Sequence, residues 1–500
     1  MNTYNRFSIL LLLSGVFLHS FSAIGFEQDP VKVLVIPDTE LGMEQLKSGI
    51  KQSTCVKIDD QGHITFKNKN IKLVGIGDAA NDGGEDGREN VYDCLNRAGQ
   101  ENPGQVAALV GNRDGNKLRY ALELAQKVLG FFRLTSWEPE FGREKHEIDG
   151  QSVVPDIGNP IDFMTLKLKW MLEKTMGCPK LFKNLKEKNG RGDVEVAGDY
   201  LAQWQRGGAG EKYLSNAQMV ILNPAVKTVF AHGFLTNESL GYIPATQEGS
   251  NDALLMPVSR PGELQVWADA FNKWGKESVK AGFAGKRAKA IPFLELMEFK
   301  KIMNKDRQEV MSRDPNPTSI VQYHPYNDHS KDYRMIDRAC IEALMNNGYN
   351  KVVFGHTPVG DVPLIIRDRE TGFLMVLTDT TYAQPPRNAA TEVEEDRVCI
   401  YSLFYEGRNI KEDNPGIEIN IVADTRNPFI GTSEIIDGKS YWIVGQAQDG
   451  TGRYLKVNCS NKRDPVYLLE DFLRTEILPD DVEVVEYDLD EPNPLLRGLC

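Results

Sequence analysis

The chain has 500 residues, of which 41% are hydrophobic and 26% charged, as in a globular protein with one large core or two to three domains. Its formal net charge of −13 excludes a generally basic surface of the kind that binds nucleic acid, although it does not exclude local basic patches. We therefore expect no nucleic acid partner.

The first predicted element is a signal peptide over residues 1–25. Arg6 precedes the apolar stretch 7–17, which is too short to span a bilayer, and small residues follow at Ala23 and Gly25. We expect cleavage after Ala23 or Gly25 and no stable membrane insertion of the mature chain. The protein would then be periplasmic or secreted, or enter the secretory pathway of a eukaryotic host. An uncleaved anchor is the alternative.

Short apolar runs bounded by Gly, Asp or Pro predict buried strands between residues 30 and 115, and again at 227–231, 351–354 and 373–379. Strands that alternate with turns and helices are typical of a layered α/β fold. In such folds ligands bind beyond the carboxyl ends of the strands. We therefore expect functional residues directly after these runs.

A helical insert is predicted over residues 116–220. One helical stripe begins at Leu118 and stops at Gly130, and a second helix begins at Asn159-Pro160 and ends at Gly177. Two further helical faces are predicted, one formed by Leu264, Trp267, Phe271 and Trp274, and one by Met335, Ile336, Ala339, Ala343 and Leu344.

A proline-containing and acidic stretch near residue 390 predicts a boundary. We expect a main domain over residues 26–390 and a β-rich C-terminal portion over residues 391–500, because several alternating apolar runs follow the boundary.

The seven cysteines include no CxxC pair, which excludes zinc-finger ligation. Neither Cys94 nor Cys178 begins a CxxxxxR loop, so the sequence gives no support for a cysteine-based phosphatase. One or two disulfides are compatible with an oxidising compartment, but the spacing does not predict their pairing.

Acids, amides and imidazoles follow five of the apolar runs. They are Asp38 and Glu40 after VKVLVIP, Asp78 after IKLVGI, Asn112 after VAALV, His232 after KTVFA, and His356 after KVVF. Two divalent ions that share a carboxylate clamp a phosphate and lower the pKa of a bridging water. A mixed nitrogen and oxygen donor set suits Mn, Fe, Zn or Co better than Ca. The pattern therefore predicts metal-assisted phosphoester hydrolysis, with Asp78 as the shared carboxylate.

The ordered motifs resemble those of the calcineurin-like metallophosphoesterases, within them the phosphoprotein phosphatase type. The resemblance spans about residues 31–380 and is carried by GDAANDGG at 77–84, GNRD at 111–114, VFAHGFL at 229–235 and VVFGHT at 352–357. GNRDGNKLR and LKWMLEKTMG are also similar to a branch found in protists and some bacteria, including Wip-type effector phosphatases. The resemblance implies a layered β-sandwich flanked by helices. It also implies two metal ions, with Mn favoured over Fe or Zn, and attack on phosphorus by a hydroxide that bridges them.

The resemblance also implies a ligand set. It assigns one metal to Asp38 and Asp78, and the second metal to Asp78, Asn112, His232 and His356. Glu40 stands where the family usually has a metal-binding histidine, and a carboxylate there would make the site more anionic.

At three catalytic positions the residues differ from those that the resembled family usually has. Arg113 stands where the family has the histidine that protonates the leaving oxygen, and Asn81 and Asp82 replace its Asp-Arg pair. Arginine is not a general acid because its pKa exceeds 12. It can instead bind phosphate oxygens bidentately and stabilise charge in the transition state.

Another group would then have to protonate the leaving oxygen, unless the leaving group has a low pKa and needs no acid. His324 or His329 is a candidate for this role; the alternative is that each is a surface or structural histidine. Arg334 is a candidate phosphate ligand; the alternative is that it is a solvated arginine near the start of a helix.

The sequence thus predicts an exported two-metal phosphomonoesterase, for which the resemblance implies a phosphorylated protein as the leading substrate, with a nucleotide or other small phosphate ester as the alternative. The changes at residues 40, 81, 82 and 113 leave open a binding protein on a weakened phosphatase scaffold. A phosphodiesterase is disfavoured by the net acidity and by Pro358, where some diesterases have another histidine.

Overall fold

The structure is a computed structural model. It describes residues 30–39, 42–79, 90–124, 146–153, 160–176, 178, 180–297, 301–303, 309–311, 318–323, 325–327, 332–380, 389–406, 416–436, 439–459 and 466–470. The predicted signal peptide at residues 1–25 lies outside these residues.

The strands are β1 (Lys32–Ile36), β2 (Val56–Ile58), β3 (Ile64–Phe66), β4 (Ile71–Gly75), β5 (Val106–Ala108), β6 (His146–Ile148), β7 (Gln151–Val153), β8 (Val220–Asn223), β9 (Thr228–Ala231), β10 (Tyr242–Ile243), β11 (Leu254–Leu255), β12 (Lys301–Met303) and β13 (Glu309–Met311). They continue with β14 (Tyr326–Asn327), β15 (Asp332–Tyr333), β16 (Lys351–Phe354), β17 (Leu364–Arg367), β18 (Leu374–Leu377), β19 (Ala389–Val393), β20 (Val398–Glu406), β21 (Ile417–Asp424), β22 (Ser433–Ile436), β23 (Lys439–Ala447), β24 (Tyr454–Asn458) and β25 (Val466–Glu470). The α-helices are α1 (Met43–Lys51), α2 (Val91–Glu101), α3 (Asn112–Asn116), α4 (Leu118–Glu123), α5 (Pro160–Lys174), α6 (Leu181–Asn189), α7 (Asp193–Gln203), α8 (Ala209–Asn216), α9 (Glu263–Phe283), α10 (Arg287–Met297) and α11 (Arg338–Asn346).

Two large sheets organise these strands. The first is ten-stranded with the order β25-β24-β23-β21-β20-β19-β1-β4-β5, and β22 pairs with β23 beside this path. The second is five-stranded with the order β17-β18-β16-β9-β8. In the first sheet β1, β4 and β5 are parallel, and in the second β9, β16 and β18 are parallel. Each sheet therefore has an edge where the carboxyl ends of several strands lie side by side.

Alternate residues of β1 point into two different cores. Val33 and Val35 belong to a buried cluster that also holds Phe230 and Val353 of the second sheet. Because one apolar cluster draws on both sheets, the two sheets pack face to face, as in a β-sandwich.

The opposite faces of both sheets are covered by helices. Leu34 of β1 belongs to a second cluster with Leu46 of α1, and the same cluster includes Phe354 of β16 and Leu344 of α11. The predicted α/β class with helices flanking the sheets is confirmed at this level.

The region predicted as a helical insert is mostly helical between residues 160 and 216, and it also contains the β6–β7 hairpin. The predicted second helix runs over Pro160–Lys174, close to its expected bounds. The stripe from Leu118 forms a helix that ends at Glu123, and the residues expected to continue it lie outside the described part of the chain.

The predicted helical face beginning at Met335 needs correction. The helix α11 begins at Arg338, so Met335 and Ile336 precede it, and Ala339 is exposed to solvent. Ile336 is nevertheless buried, because the segment leading into the helix packs on the same core. By contrast, the predicted face of α9 is correct, since Leu264, Trp267, Phe271 and Trp274 are all buried.

The β-rich C-terminal portion is confirmed by strands β20 to β25. These strands extend the first sheet through β19, which pairs antiparallel with β1. β19 spans Ala389–Val393 and therefore crosses the position of the predicted boundary.

Six cysteines lie in the described ranges, all buried, and none of these forms a disulfide. Among the residues that the structure describes, no helix is long and apolar enough to cross a membrane.

Truncating Phe230 tests the face-to-face packing of the sheets. Its side chain is fully buried between them, so Phe230→Ala should lower the free energy of unfolding by about 3–5 kcal/mol. The exposed Ile435 provides a matched control, whose change to alanine should cost less than about 0.5 kcal/mol. Denaturant unfolding would measure both, and equal midpoints for the two variants would contradict the sandwich.

Candidate metal centre

The predicted metal ligands follow the carboxyl ends of neighbouring strands. Asp38 and Asp78 come shortly after β1 and β4, and Asn112 begins α3 just beyond β5. His232 directly follows β9, and His356 follows β16 after one glycine. Since β1, β4 and β5 are adjacent in one sheet and β9 and β16 in the other, the sandwich brings residues distant in sequence to one place.

Three side chains bring possible metal ligands within reach of one ion. One ligand atom from each of Asp78, His232 and His356 lies within 4.8 Å of the other two. The Nε2 atom of His232 is 3.6 Å from Oδ2 of Asp78, and the two imidazole rings are 5.1 Å apart between centroids. His232 and Asp78 are almost fully buried, so the cluster lies at the base of the strand ends.

The amide of Asn112 completes this group. Its Oδ1 atom lies 3.1 Å from Nε2 of His232 and 3.0 Å from Nδ1 of His356. One amide oxygen and two imidazole nitrogens therefore point at the same small volume.

Backbone carbonyls orient both imidazoles. The Nδ1 atom of His232 lies 2.9 Å from the carbonyl oxygen of Ile76, and Nε2 of His356 lies 2.9 Å from that of Gln322. A carbonyl oxygen only accepts hydrogen bonds, so each ring places a proton there and, when neutral, directs a lone pair toward Asn112. This is the usual arrangement of metal-binding histidines, whose second nitrogen donates to a carbonyl or carboxylate.

The donor set fits a divalent cation. With both rings neutral and oriented in this way, their lone pairs lie 3.1 and 3.0 Å from the amide oxygen of Asn112, and a bound cation would relieve the repulsion between these acceptors. The mixture of imidazole nitrogen, amide oxygen and carboxylate is typical of Mn, Fe or Zn sites.

Asp38 lies beside this cluster and contacts both histidines. Its Oδ2 accepts a hydrogen bond of 3.0 Å from the backbone N–H of His356, and its Oδ1 is 3.8 Å from Nδ1 of His232. The carboxylate is almost fully buried. Asp38 therefore fixes the backbone of His356 beside the cluster.

Arg113 lies next to Asp78. Its backbone N–H donates to Oδ1 of Asp78 at 2.9 Å, and its Nε is 3.8 Å from Oδ2. The Arg113 side chain is 27% exposed, so the guanidinium lies between the buried carboxylate and solvent.

The charge of Asp78 is set by its neighbours. Burial alone would raise the pKa of the Asp78 carboxyl, but the electrostatic influence of the neighbouring His232 and Arg113 side chains outweighs burial and holds this pKa below its ordinary value. Asp78 is therefore ionised at neutral pH, as a metal ligand must be.

The backbone is strained at two of the ligands. Asp78 and His356 have φ values of 46° and 66°, in the left-handed region that side-chain-bearing residues rarely adopt. Such strain persists only where the surrounding structure imposes it, and it is concentrated at functional sites.

Close approach of the loops requires glycine. A Cβ atom on Gly111 would lie 2.1 Å from both the backbone nitrogen and Oδ1 of Asp78, and one on Gly355 would lie 2.4 Å from Oδ1 of Asp38. Both glycines thus allow a neighbouring strand end to touch a carboxylate directly.

Arg334 lies on the periphery of the site. Its exposed guanidinium stacks 5.1 Å from the ring of Tyr323 and 5.6 Å from that of Phe234, and it donates a hydrogen bond to the Tyr323 hydroxyl. Tyr323 follows Gln322, whose carbonyl orients His356. Arg334 is therefore held in place by the rings of Tyr323 and Phe234.

Other predicted site residues lie outside the described part of the chain, namely Glu40, Asn81, Asp82, His324 and His329. Their roles stay predictions.

Sequence reasoning missed two groups that support the site. Asp114 is fully buried and hydrogen-bonded to the loops that carry Asp78 and Asn112, and the Gln322 carbonyl orients His356. Burial and the nearby charge of Asp78 raise the pKa of Asp114 above its ordinary value. Its place in the GNRD motif was a usable signal for Asp114, whereas a backbone carbonyl leaves no signal in a sequence.

No protein-family model matches the chain, and no curated protein sequence matches it. Among solved structures, it resembles a cold-active protein-tyrosine phosphatase of a psychrophilic Shewanella species, with 13% identity, 74% of this chain and 77% of the other covered, and a TM-score of 0.37. A second structure of a cold-active protein tyrosine phosphatase has 14% identity, 74% and 76% coverage, and a TM-score of 0.35. At this level of similarity neither structure assigns a function to the chain.

The contact at Gly111 can be tested directly. Gly111→Ala would place a methyl group against Asp78 and force the two loops apart, so we expect Mn²⁺ affinity to fall at least about tenfold. A Cβ on Gly198, in the helix α7, would meet nothing within 4 Å, and Gly198→Ala should leave the affinity unchanged. Titration calorimetry with Mn²⁺ measures both variants, and equal affinities would contradict the close approach.

Proposed function

We propose that the protein is a metal-dependent phosphomonoesterase, with a phosphorylated protein as the leading substrate and a small phosphate ester as the alternative. One observation carries this proposal: Asp78, Asn112, His232 and His356 converge on one volume beside the guanidinium of Arg113. Ligands for a cation and a partly exposed arginine suit a dianionic phosphate better than a neutral substrate.

The residues that would hold the metals are Asp38, Asp78, Asn112, His232 and His356, and Glu40 is a further candidate. When bound, divalent ions supply Lewis acidity toward phosphate oxygens and lower the pKa of water. The carbonyls of Ile76 and Gln322 support the ligand role, because they hold the imidazole protons away from the shared volume.

Arg113 would bind the phosphoryl group. Its backbone is fixed by the hydrogen bond to Asp78, so its side chain starts from a defined position above the buried carboxylate. In the transition state, negative charge is spread over the equatorial phosphate oxygens, and a guanidinium can donate to two of them. Arg334 is a second candidate phosphate ligand, supported by its exposed, ring-stacked guanidinium.

The export of the protein also stays a proposal. It is supported by the apolar stretch at residues 7–17 and the small residues that follow it.

Replacing Asp78 tests the metal dependence. Asp78→Asn removes the only carboxylate in the three-residue cluster of described residues, so Mn²⁺ affinity and phosphatase activity should both fall more than about 100-fold, beyond the loss typical of supporting residues. Glu101→Gln, at an exposed carboxylate at the end of α2, is the matched control. Calorimetry and hydrolysis of 4-nitrophenyl phosphate are the measurements.

A second candidate is a binding protein on a phosphatase scaffold. The arginine at the position where the resembled family has its general acid favours it. Metal binding without turnover in the unmodified chain, and no change on Asp78→Asn, would support this function over the phosphatase.

The arginine also predicts a preference for good leaving groups. Arg113 does not donate a proton, so the hydrolysis of aryl phosphates should exceed that of alkyl phosphates by about 10²- to 10⁴-fold, the usual contribution of a general acid. Histidine can donate a proton to the leaving oxygen, so Arg113→His should lower the ratio of aryl to alkyl phosphate hydrolysis. The measurement is kcat/KM on 4-nitrophenyl phosphate and on an alkyl phosphate, and similar rates in the unmodified enzyme would show that another group acts as the acid.

A further inference from the structure

A fully buried carboxylate, Asp114, joins the two loops that carry Asp78 and Asn112. Its Oδ1 accepts hydrogen bonds from the backbone N–H of Ala79 at 3.1 Å and from the hydroxyl of Tyr92 at 2.9 Å. Its Oδ2 accepts from the backbone N–H of Gly111 at 3.2 Å. Both oxygens are thus engaged by the protein itself, and Asp114 is not among the three residues that cluster at the candidate metal site.

The two bonded amides flank the candidate ligands. Ala79 directly follows Asp78, and Gly111 directly precedes Asn112. A single carboxylate therefore fixes the distance between the end of β4 and the start of α3. Since metal sites tolerate only small errors in ligand position, this distance decides whether Asp78 and Asn112 can bind the same ion.

Aromatic residues of the helical insert pack against Tyr92, whose hydroxyl donates to Asp114. The Tyr92 ring packs edge-on against Trp204, with centroids 5.3 Å apart, and against Tyr213, at 4.9 Å. Trp204 directly follows α7 and Tyr213 belongs to α8, and the Tyr213 hydroxyl donates to the carbonyl of Leu109 at 3.0 Å. The aromatic rings of the insert thus hold both Tyr92 and the end of β5 in place.

Lys117 connects the Trp204 ring to the backbone of Arg113. Its side chain is only 1% exposed, its Nζ lies 5.7 Å from the centre of the Trp204 ring, and the same atom donates to the carbonyl of Arg113 at 3.1 Å. A buried ammonium here partly offsets the negative charge of two buried carboxylates, Asp78 and Asp114.

We propose that Asp114 is a positioning residue that sets the separation of the two metal-binding loops, and that Trp204 and Lys117 of the helical insert hold it there together with Tyr92 of α2. These three side chains then support the candidate metal centre. This inference rests on the proposed metal-dependent function for its consequence, but not for the hydrogen bonds themselves.

Asp114→Asn is the direct test. Asparagine keeps the shape of the side chain but replaces one acceptor oxygen by an NH₂ donor, which must then face a backbone N–H or a hydroxyl. In the metal-free protein, the amides of Ala79 and Gly111 should exchange with solvent at least about tenfold faster. In the metal-loaded protein, Mn²⁺ affinity should fall about 10- to 100-fold, as for other residues that orient metal ligands, and the Mn²⁺ electron paramagnetic resonance spectrum should change.

Asp193→Asn is the matched control. Asp193 is also a buried carboxylate, and it accepts hydrogen bonds from Lys169, Lys186 and a backbone amide within the insert. This variant should lose stability while the exchange of Ala79 and Gly111, the Mn²⁺ affinity and the spectrum stay unchanged. If Asp114→Asn does not fold, Tyr92→Phe, which removes one donor to Asp114, should change the same quantities in the same direction by a smaller factor.

The outcomes separate the two proposals. If the unmodified protein binds Mn²⁺ and Asp114→Asn leaves exchange, affinity and spectrum unchanged, the inference is overturned while the phosphatase proposal stands. If the unmodified protein binds no Mn²⁺, the phosphatase proposal is lost, and faster exchange at Ala79 and Gly111 alone still decides whether Asp114 joins the loops. Changes in Asp193→Asn equal to those in Asp114→Asn would reduce Asp114 to a general stability role and overturn the inference.

Discussion

The crowding of two imidazole lone pairs against one amide oxygen, at the edge shared by two packed sheets, is the constraint on which the site depends. Each imidazole nitrogen lies about 3 Å from this oxygen, and with neutral rings these buried acceptors repel unless a proton or a metal ion lies between them. The fold maintains this arrangement through backbone hydrogen bonds to both rings, and through left-handed backbone at Asp78 and His356. Strain of this kind costs about 1–3 kcal/mol per residue and persists where it is linked to a function.

The strands that carry the site were predictable because each is short, continuously apolar and followed by a polar residue. The runs ending before Asp38, Asp78, His232 and His356 all form strands of the two sheets. Parallel strands place their carboxyl ends together, so the order of these runs already predicted that their polar successors would meet. The face of α9 was predictable for a similar reason, since its apolar residues repeat with the helical period.

Other features depend on contacts between distant parts of the chain, which local patterns do not report. The Gln322 carbonyl that orients His356 belongs to the backbone, so any residue type could provide it. α11 starts at Arg338 rather than Met335, and Ile336 is buried although it precedes the helix, so its burial reflects tertiary packing and not a helical face. A local change of composition near residue 390 predicted a boundary between two parts of the chain. The first sheet nevertheless continues across this position, because β19 is hydrogen-bonded to β1.

The position of β1 in the middle of the ten-stranded sheet has a consequence for limited proteolysis and for shortened chains. β1 is hydrogen-bonded to β4 on one side and to β19 on the other, and Asp38 lies two residues beyond its end. Cutting the chain near residue 390 would leave the second side of β1 as an unprotected row of amides and carbonyls, which is a template for intermolecular strand pairing. The amino-terminal portion alone should therefore aggregate rather than persist as a smaller folded unit.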